Sequence, residues 1–200
     1  VGSRQTTTYG RTVALRLAAD LVRAGFTVIS GLARGIDTCA HRGALEAGGR
    51  TLAVLGGGLH DIYPPENREL AEAVAQSGAL MTEFPIGREP DKTTFPYRNR
   101  LVSGLSQAVV VVEATKTSGA LITARFAADQ GRSVLAVPGR IDNPLAQGPH
   151  ELIRQGARLV EGIEDILDEM GALFRGAAPT LRSCGGEGDS AGDLTEEERR

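Results

Sequence analysis

A nine-residue stretch of the chain, 92–100, combines cationic with aromatic side chains around a single proline. Its cations are Lys92, Arg98 and Arg100, and its aromatics are Phe95 and Tyr97. A buried strand would not tolerate this charge, and the proline removes a backbone donor. Cations hold phosphates and aromatic faces stack on bases, so the mixture suits single-stranded nucleic acid. The alternative is a solvated loop with one aromatic in the core. We predict that the stretch is an extended loop stiffened by Pro96, whose end starts a short helix through Arg100–Leu105.

A glycine loop, Ser30-Gly-Leu-Ala-Arg-Gly-Ile-Asp37, lies between a predicted strand and a predicted helix. Free backbone N–H groups and the helix dipole at such a loop favour a phosphate, and Arg34 adds a cation to Gly31. The loop matches neither the dinucleotide-binding nor the nucleoside-triphosphate-binding glycine pattern, so no cofactor is expected. The alternative is a tight turn that needs glycine for packing alone.

Two further segments offer similar groups. Gly2-Ser3-Arg4 supplies amides, a hydroxyl and a guanidinium, and Ser118-Gly119 opens a predicted helix. With Asn99 from the cationic–aromatic stretch, the candidate binding residues are Ser3, Arg4, Gly31, Arg34, Lys92, Phe95, Arg98, Asn99, Arg100, Ser118 and Gly119.

Catalytic patterns are weak. Glu83 and Glu113 both follow predicted strands, and a pair of carboxylates can perform acid–base chemistry if they meet. Asp37 and His41 stand four residues apart, as a base and its orienting group would, although a helix N-cap and a packed or exposed histidine explain them better. Neither metal-ligand spacing nor a nucleophile elbow is present, so we expect no catalytic residue and no metal.

Charge is unevenly distributed along the 200 residues. The formal net charge is −3, but residues 1–150 carry 16 Lys and Arg against 13 Asp and Glu, whereas residues 151–200 carry 6 against 12. An anion site must therefore be a local patch.

Cys39 and Cys184 form neither a zinc motif nor a disulfide framework, which indicates a reducing, cytoplasmic location. No apolar run is long enough to suggest a membrane segment.

Hydrophobic periodicity predicts strands that alternate with helices. The predicted strands are Phe26–Ser30, Thr51–Leu55, Ala79–Thr82, Ala108–Val112 and Ser133–Val137, and the helices between them include Tyr9–Ala24, Ile36–Ala47, Glu66–Gln76 and Ala120–Gln130. This alternation predicts an α/β fold with a doubly wound, mostly parallel sheet and helices on both faces. Ligands of such sheets bind beyond the carboxyl ends of the strands, and all the candidate segments fall there.

The predicted domain organisation has three parts. Residues 1–176 form the α/β domain, in which Val1-Gly2 is interpreted as the end of a strand whose earlier residues are missing. Residues 177–192, rich in Gly and Ser, are predicted to be a flexible linker. Residues 193–200 resemble a helix start and are interpreted as the opening of a second, truncated domain.

Ten motifs in order along the chain resemble those of the DNA-processing protein A (DprA/Smf) family. They are Gly2-Ser-Arg-x-x-Thr-x-Tyr-Gly10, Ser30-Gly-Leu-Ala-Arg-Gly-Ile-Asp37, Ala40-His41, Tyr63-Pro-Pro-Glu-Asn67, Glu83-Phe-Pro85, Phe95-Pro-x-Arg-Asn-Arg100, Gly104-Leu-Ser106, Val111-Val-Glu-Ala114, Ser118-Gly-x-Leu-Ile-Thr-Ala124 and Leu152-Ile-x-x-Gly-Ala157. The departure is Gly148-Pro149-His150, where many relatives have Asn or a second His.

The resemblance implies an extended Rossmann-like core of a non-enzymatic protein. Such a protein binds single-stranded DNA and loads the RecA recombinase onto it during natural transformation. The resemblance also implies a homodimer, with His150, Ile153 and Leu159 at its interface, and a C-terminal winged-helix domain. The alternative is a nucleotide-processing enzyme of a related fold, similar to the phosphoribohydrolases, although the segment from Glu113 to Gly119 lacks their P-G-G-x-G-T-x-x-E signature.

Overall fold

The computed structural model describes residues 1–175 of the chain, in which seven α-helices alternate with six β-strands. In order they are α1 (Thr8–Arg23), β1 (Val28–Ser30), α2 (Ile36–Glu46), β2 (Thr51–Val54), α3 (Arg68–Ser77), β3 (Ala79–Met81), α4 (Thr94–Gly104), β4 (Ala108–Val111), α5 (Ala120–Asp129), β5 (Ser133–Ala136), α6 (Gln147–Arg154), β6 (Arg158–Leu159) and α7 (Ile163–Arg175). The predicted linker, 177–192, and the predicted start of a second domain, 193–200, lie outside the described residues.

Strand pairing is parallel throughout the described part of the chain. The strands form two three-stranded sheets, in the orders β1-β2-β3 and β4-β5-β6. Ile29 lies opposite Leu52 in the first sheet, and Val109 lies opposite Val134 in the second. Each parallel connection carries a helix, as crossover geometry requires. The predicted doubly wound α/β architecture is confirmed.

Helices cover both faces of the second sheet. Val109 and Val111 of β4 pack on α5, whereas Val112, just after β4, packs with Leu17 of α1 and Ile166 of α7. Alternate residues of one apolar run thus enter two different cores, which explains why the run is continuous. Around the first sheet, Ala53 and Leu55 pack on α3, and Val28 packs on α1 and α2.

The first residues of the chain lie beside β4. The amino group of Val1 donates to Val110 O at 2.9 Å, and Val112 N donates to Val1 O at 3.1 Å. An apolar cavity of about 470 Å³ lies next to this segment, between the two sheets, and is lined by residues of α1, β1 and β4 that include Leu17 and Val28. Two backbone hydrogen bonds thus place Val1 alongside β4, and the interpretation of Val1-Gly2 as the end of a strand stays a prediction.

Helix α4 corrects one prediction. It begins at Thr94 and ends at Gly104, so most of the cationic–aromatic stretch is helical and not an extended loop. The carboxylate of Asp91 explains the early start, because Oδ1 accepts from Thr93 N at 2.7 Å and from Thr94 N at 3.0 Å. Pro96 falls in the first turn, where a missing backbone N–H leaves no intrahelical bond unmade.

Candidate functional site

A groove of about 740 Å³ opens where the loops after β1 to β5 meet the amino-terminal segment. Nine of the eleven candidate binding residues line it, namely Ser3, Arg4, Gly31, Lys92, Phe95, Arg98, Asn99, Ser118 and Gly119. Arg34 and Arg100 do not. The segments that carry these residues are far apart in sequence and meet at the carboxyl ends of the parallel strands, where the ligands of such sheets bind. Whether these residues contact DNA stays a prediction.

Arg4, Lys92 and Phe95 give the groove its cationic and aromatic character. Arg4 and Lys92 are exposed, and the guanidinium carbon of Arg4 lies 4.9 Å from the centroid of the Phe95 ring. Phe95 is half-buried, and its ring packs so closely on Gly56 that a Cβ there would lie 2.6 Å from the ring. Glycine at 56 thus leaves room for the Phe95 ring.

Tyr63 also lines the groove and was missed as a site residue by the sequence analysis. Its ring centroid is 5.7 Å from that of Phe95, with the ring planes tilted by 46°. Its position in the sequence could have identified it, because Tyr63 is an aromatic residue in the loop after β2, on the same rim as the other candidates. The sequence analysis used the segment from Tyr63 to Asn67 as a family motif and gave the tyrosine no role in binding.

Arg34 and Arg100 flank the groove and are held by carboxylates. Arg34 pairs with Glu66, and Arg100 pairs with Glu83. The guanidinium carbon of Arg34 lies 5.8 Å from the Tyr63 ring centroid. Both ion pairs are partly or largely exposed, so each contributes little to stability and leaves its arginine available to a competing anion.

Arg98 forms the floor of the groove. Only 4% of its surface is exposed, and its Nη1 donates to Gly31 O at 2.7 Å and to Val54 O. Burial lowers the pKa of Arg98, and the carboxylate of Asp37 opposes that shift. A Cβ on Gly31 would lie 2.5 Å from the guanidinium nitrogens. These contacts support a role in shaping the loop after β1, and direct contact of Arg98 with DNA stays a prediction.

Glu113 anchors the loop that carries Ser3 and Arg4. Its carboxylate, in a side chain only 2% exposed, accepts from Thr6 Oγ1 at 2.7 Å and from Thr7 N at 3.0 Å. Its carbonyl oxygen accepts from Ser3 N at 2.6 Å. These bonds engage the carboxylate of Glu113, and the carboxylate of Glu83 pairs with Arg100. Within residues 1–175, no hydrogen bond therefore joins the two glutamates that were considered as an acid–base pair.

Asp37 and His41 do not form a base and its orienting group. Asp37 Oδ2 accepts from Gly31 N at 3.1 Å and holds the glycine loop. His41 is fully buried, and its Nδ1 lies 2.7 Å from Thr51 Oγ1. Burial lowers the pKa of His41 to about 4. Both residues therefore have structural partners. His41 is packed in the core, as the alternative interpretation held, but Asp37 is not the helix cap, because it lies inside α2 and the N-cap position is Gly35.

The loop after β4 contributes the remaining groove residues. Asn99 Nδ2 donates to Gly119 O at 3.3 Å, which ties α4 to the start of α5. Ser118 Oγ accepts from Ala120 N at 3.4 Å. The exposed backbone at Gly119 leaves this loop accessible from the groove.

The three candidate dimer residues lie away from the groove lining, on α6 and β6. His150 is half-buried and its Nε2 lies 3.0 Å from Gly139 O, Ile153 is half-buried, and Leu159 is 40% exposed. They belong to the edge of the second sheet, because β6 pairs with β5 alone among the described strands. An interface at this edge stays a prediction.

Within residues 1–175, no group of three or more His, Cys, Asp or Glu side chains is arranged to hold a metal ion. None of the helices described there is long and apolar enough to cross a membrane.

Three similar proteins were found that bear on the site. DNA processing protein DprA of Bacillus subtilis is 46% identical over 170 residues, which are 85% of this chain and 57% of that protein. The crystal structure of DprA from Streptococcus pneumoniae has a TM-score of 0.79 at 41% identity and covers 84% of this chain and 59% of that one. The structure of DNA processing protein A from Helicobacter pylori, reported for its single-stranded DNA binding mode, has a TM-score of 0.78 at 29% identity and covers 86% and 78%.

The chain spans about half the length of the curated relatives it matches. The family model of DNA recombination-mediator protein A matches residues 1–171, which contain every residue of the groove. The chain belongs to the DNA recombination-mediator protein A (DprA/Smf) family.

Proposed function

We propose that the groove binds single-stranded DNA. The observation that carries the proposal is the convergence of two exposed cations, Arg4 and Lys92, with the Phe95 ring in one open groove. Cations track a phosphate backbone and an aromatic ring stacks on any base, so the combination favours a strand whose bases are unpaired. The related protein from Helicobacter pylori, described for its single-stranded DNA binding mode, supports the proposal.

The test is a binding titration of the 200-residue chain with three ligands at two salt concentrations. We expect a single-stranded oligonucleotide to bind more tightly than a duplex of the same length, and a mononucleotide to bind most weakly. Affinity should fall as salt rises, because neutralised phosphates release counterions. Equal affinity for single strand and duplex, or preference for the mononucleotide, would contradict the proposal.

The proposal extends to a non-enzymatic role. A related nucleotide-processing enzyme would use Glu113 for catalysis. Here Glu113 is buried, and its carboxylate accepts hydrogen bonds from Thr6 and Thr7. We therefore expect DNA and mononucleotides incubated with the protein to remain chemically unchanged by mass spectrometry. Release of a free base from a mononucleotide would favour the enzyme instead.

We further propose that the complete protein acts in the cytoplasm as a homodimer that loads RecA recombinase onto incoming DNA during natural transformation. The family's description as a recombination mediator supports this wider role. The expected result is faster RecA filament formation on single-stranded DNA in the presence of the protein. Unchanged filament kinetics would confine the proposal to DNA binding.

A further inference from the structure

We propose that Tyr63 is a second base-stacking residue, so that Tyr63 and Phe95 together accept two successive bases of one strand. The inference rests on the proposed function of the groove. Tyr63 lines the groove beside Phe95 at a centroid distance of 5.7 Å, and 40% of its surface is exposed. A tyrosine that only filled the core would have a buried ring, whereas the partly exposed Tyr63 lines the groove.

The backbone at Tyr63 is fixed by neighbours, which leaves its ring free for a ligand. Pro64, the next residue, is fully buried. Asn67 is buried too, and its Nδ2 donates to Leu32 O at 2.8 Å and to Thr38 Oγ1 at 2.9 Å. These contacts fasten the loop after β2 to the loop after β1. The Tyr63 ring is therefore held at the groove by a rigid support, as a stacking platform needs to be.

Each of the two rings has an arginine beside it. Arg4 lies over Phe95 at 4.9 Å, and Arg34 lies over Tyr63 at 5.8 Å. Each exposed arginine covers a ring face through a contact that is weak in water, and the Arg34–Glu66 pair is exposed on both sides. An arriving base takes the ring face, and the displaced guanidinium remains close enough to hold the phosphate attached to that base.

The tilt between the rings suits two bases better than one. Rings inclined by 46° cannot sandwich a single planar base, but each can stack on its own base along a bent strand. Stacking tolerates every base because each has a π-face. The groove should therefore accept two adjacent nucleotides without selecting their sequence.

The decisive experiment compares Tyr63→Ala and Tyr63→Phe with the parent on two probes, an oligothymidylate and an abasic oligonucleotide of equal length. We expect Tyr63→Ala to bind oligothymidylate about tenfold more weakly and the abasic strand as the parent does. Tyr63→Phe, which keeps the ring, should match the parent on both. An equal loss on both probes, or no loss on either, would overturn the stacking role. Failure of the parent to bind either probe would instead reject the proposed function.

A second measurement does not depend on how well the alanine variant folds. The chain contains no tryptophan, so Tyr63→Trp creates a single fluorescent reporter at the proposed platform. Its emission should be quenched by oligothymidylate and not by the abasic strand. Tyr9→Trp is the control, because Tyr9 is 50% exposed but lines a separate cavity near Pro138. Equal responses at the two positions would remove Tyr63 from the platform.

Discussion

At the scale of single residues, Arg4 and Lys92 are exposed cations of the groove that make no ion pair within residues 1–175. We expect Arg4→Ala or Lys92→Ala to weaken binding of single-stranded DNA. Each change should also lower the slope of log affinity against log salt by about 0.7, the counterion release of one phosphate on a single strand. Measuring affinity at four or more salt concentrations gives the slope.

Arg125→Ala is the matched control for these two variants. Arg125 is an exposed cation on α5 that does not line the groove, so its loss removes the same charge from another surface. Its salt slope should equal that of the parent. Identical slopes for all four proteins would locate the phosphate contacts elsewhere.

His41 makes stability depend on pH. The Thr51 hydroxyl donates to Val28 O at 2.9 Å, so His41 Nδ1 must donate to that hydroxyl and Nε2 carries no proton. Within residues 1–175, Nε2 has no hydrogen-bond partner. Protonating Nε2 would create an unpaired buried charge, which agrees with the lowering of the pKa to about 4 by burial. Because the unfolded state binds a proton more readily, stability should fall as pH drops from about 6.5 to about 4, by about 3 kcal/mol in total.

Urea unfolding across that pH range checks the prediction. A His41→Gln variant, although less stable, should lose this part of the pH dependence. His60→Gln is the control, because His60 is exposed and should keep the parent's dependence. Parallel curves for the parent and His41→Gln would show that another group causes the effect.

At the scale of elements, the start of α4 depends on Asp91. A hydrogen bond from the Thr93 hydroxyl, followed by those from the backbone N–H groups of Thr93 and Thr94, lowers the pKa of Asp91 to about 2. Asp91→Ala removes this cap and should lower Tm by about 2–4 °C. DNA affinity should fall as well, because the first turn carries Phe95 and Lys92 lies just before it. Asp91→Asn keeps an acceptor and should behave nearly as the parent by calorimetry and binding. Equal defects in both variants would mean that charge, and not the cap, matters.

Most helices and strands could be predicted from the local hydrophobic pattern, and the exception at the start of α4 depends on a side-chain contact that this pattern does not show. The branched run through β4 predicted a strand covered on both faces, and Val109 and Val112 do pack in different cores. Helix α4 was predicted to begin six residues too late because Pro96 was interpreted as stiffening an extended loop, although a proline in the first turn of a helix is tolerated. Periodicity does not register a capping side chain such as Asp91.

The candidate site was predictable where it follows from topology and unpredictable where it depends on long-range contacts. Parallel crossovers bring Arg4, Gly31 and Lys92 to one rim whatever their separation in sequence. The burial of Arg98 depends on carbonyls from the ends of two other strands, which no local pattern reveals. The position of the Tyr63 ring likewise depends on the long-range contacts that hold the loop after β2.

At the scale of the whole molecule, helix α1 holds the two sheets together. Within residues 1–175 no strand pairing joins the sheet β1-β2-β3 to the sheet β4-β5-β6. Instead, Leu17 of α1 packs with Val112, just after β4, and Ala18 of the same helix packs with Val28 of β1. The apolar cavity of about 470 Å³ lies between these contacts, lined by residues of α1, β1 and β4.

The edge formed by α6 and β6 is where we propose that two copies associate. Ile153 on α6 is half-buried, and Leu159 on β6 is 40% exposed at the outer strand of the second sheet. Leu152, next to Ile153, instead packs against the core cluster around α5. Under this proposal adjacent residues of one helix have different roles, which gives a matched pair of variants.

We expect Ile153→Arg to convert a dimer into a folded monomer, because an arginine on each copy places like charges across a two-fold interface. Light scattering gives the mass, and Tm should stay close to that of the parent. Leu152→Arg places a charge against the core cluster around α5, so it should lower Tm and leave the dimer intact. If Ile153→Arg also loses its fold, Ile153 is a core residue. If it stays dimeric at the parent's affinity, the interface lies on another surface, and the roles proposed for His150, Ile153 and Leu159 must be withdrawn.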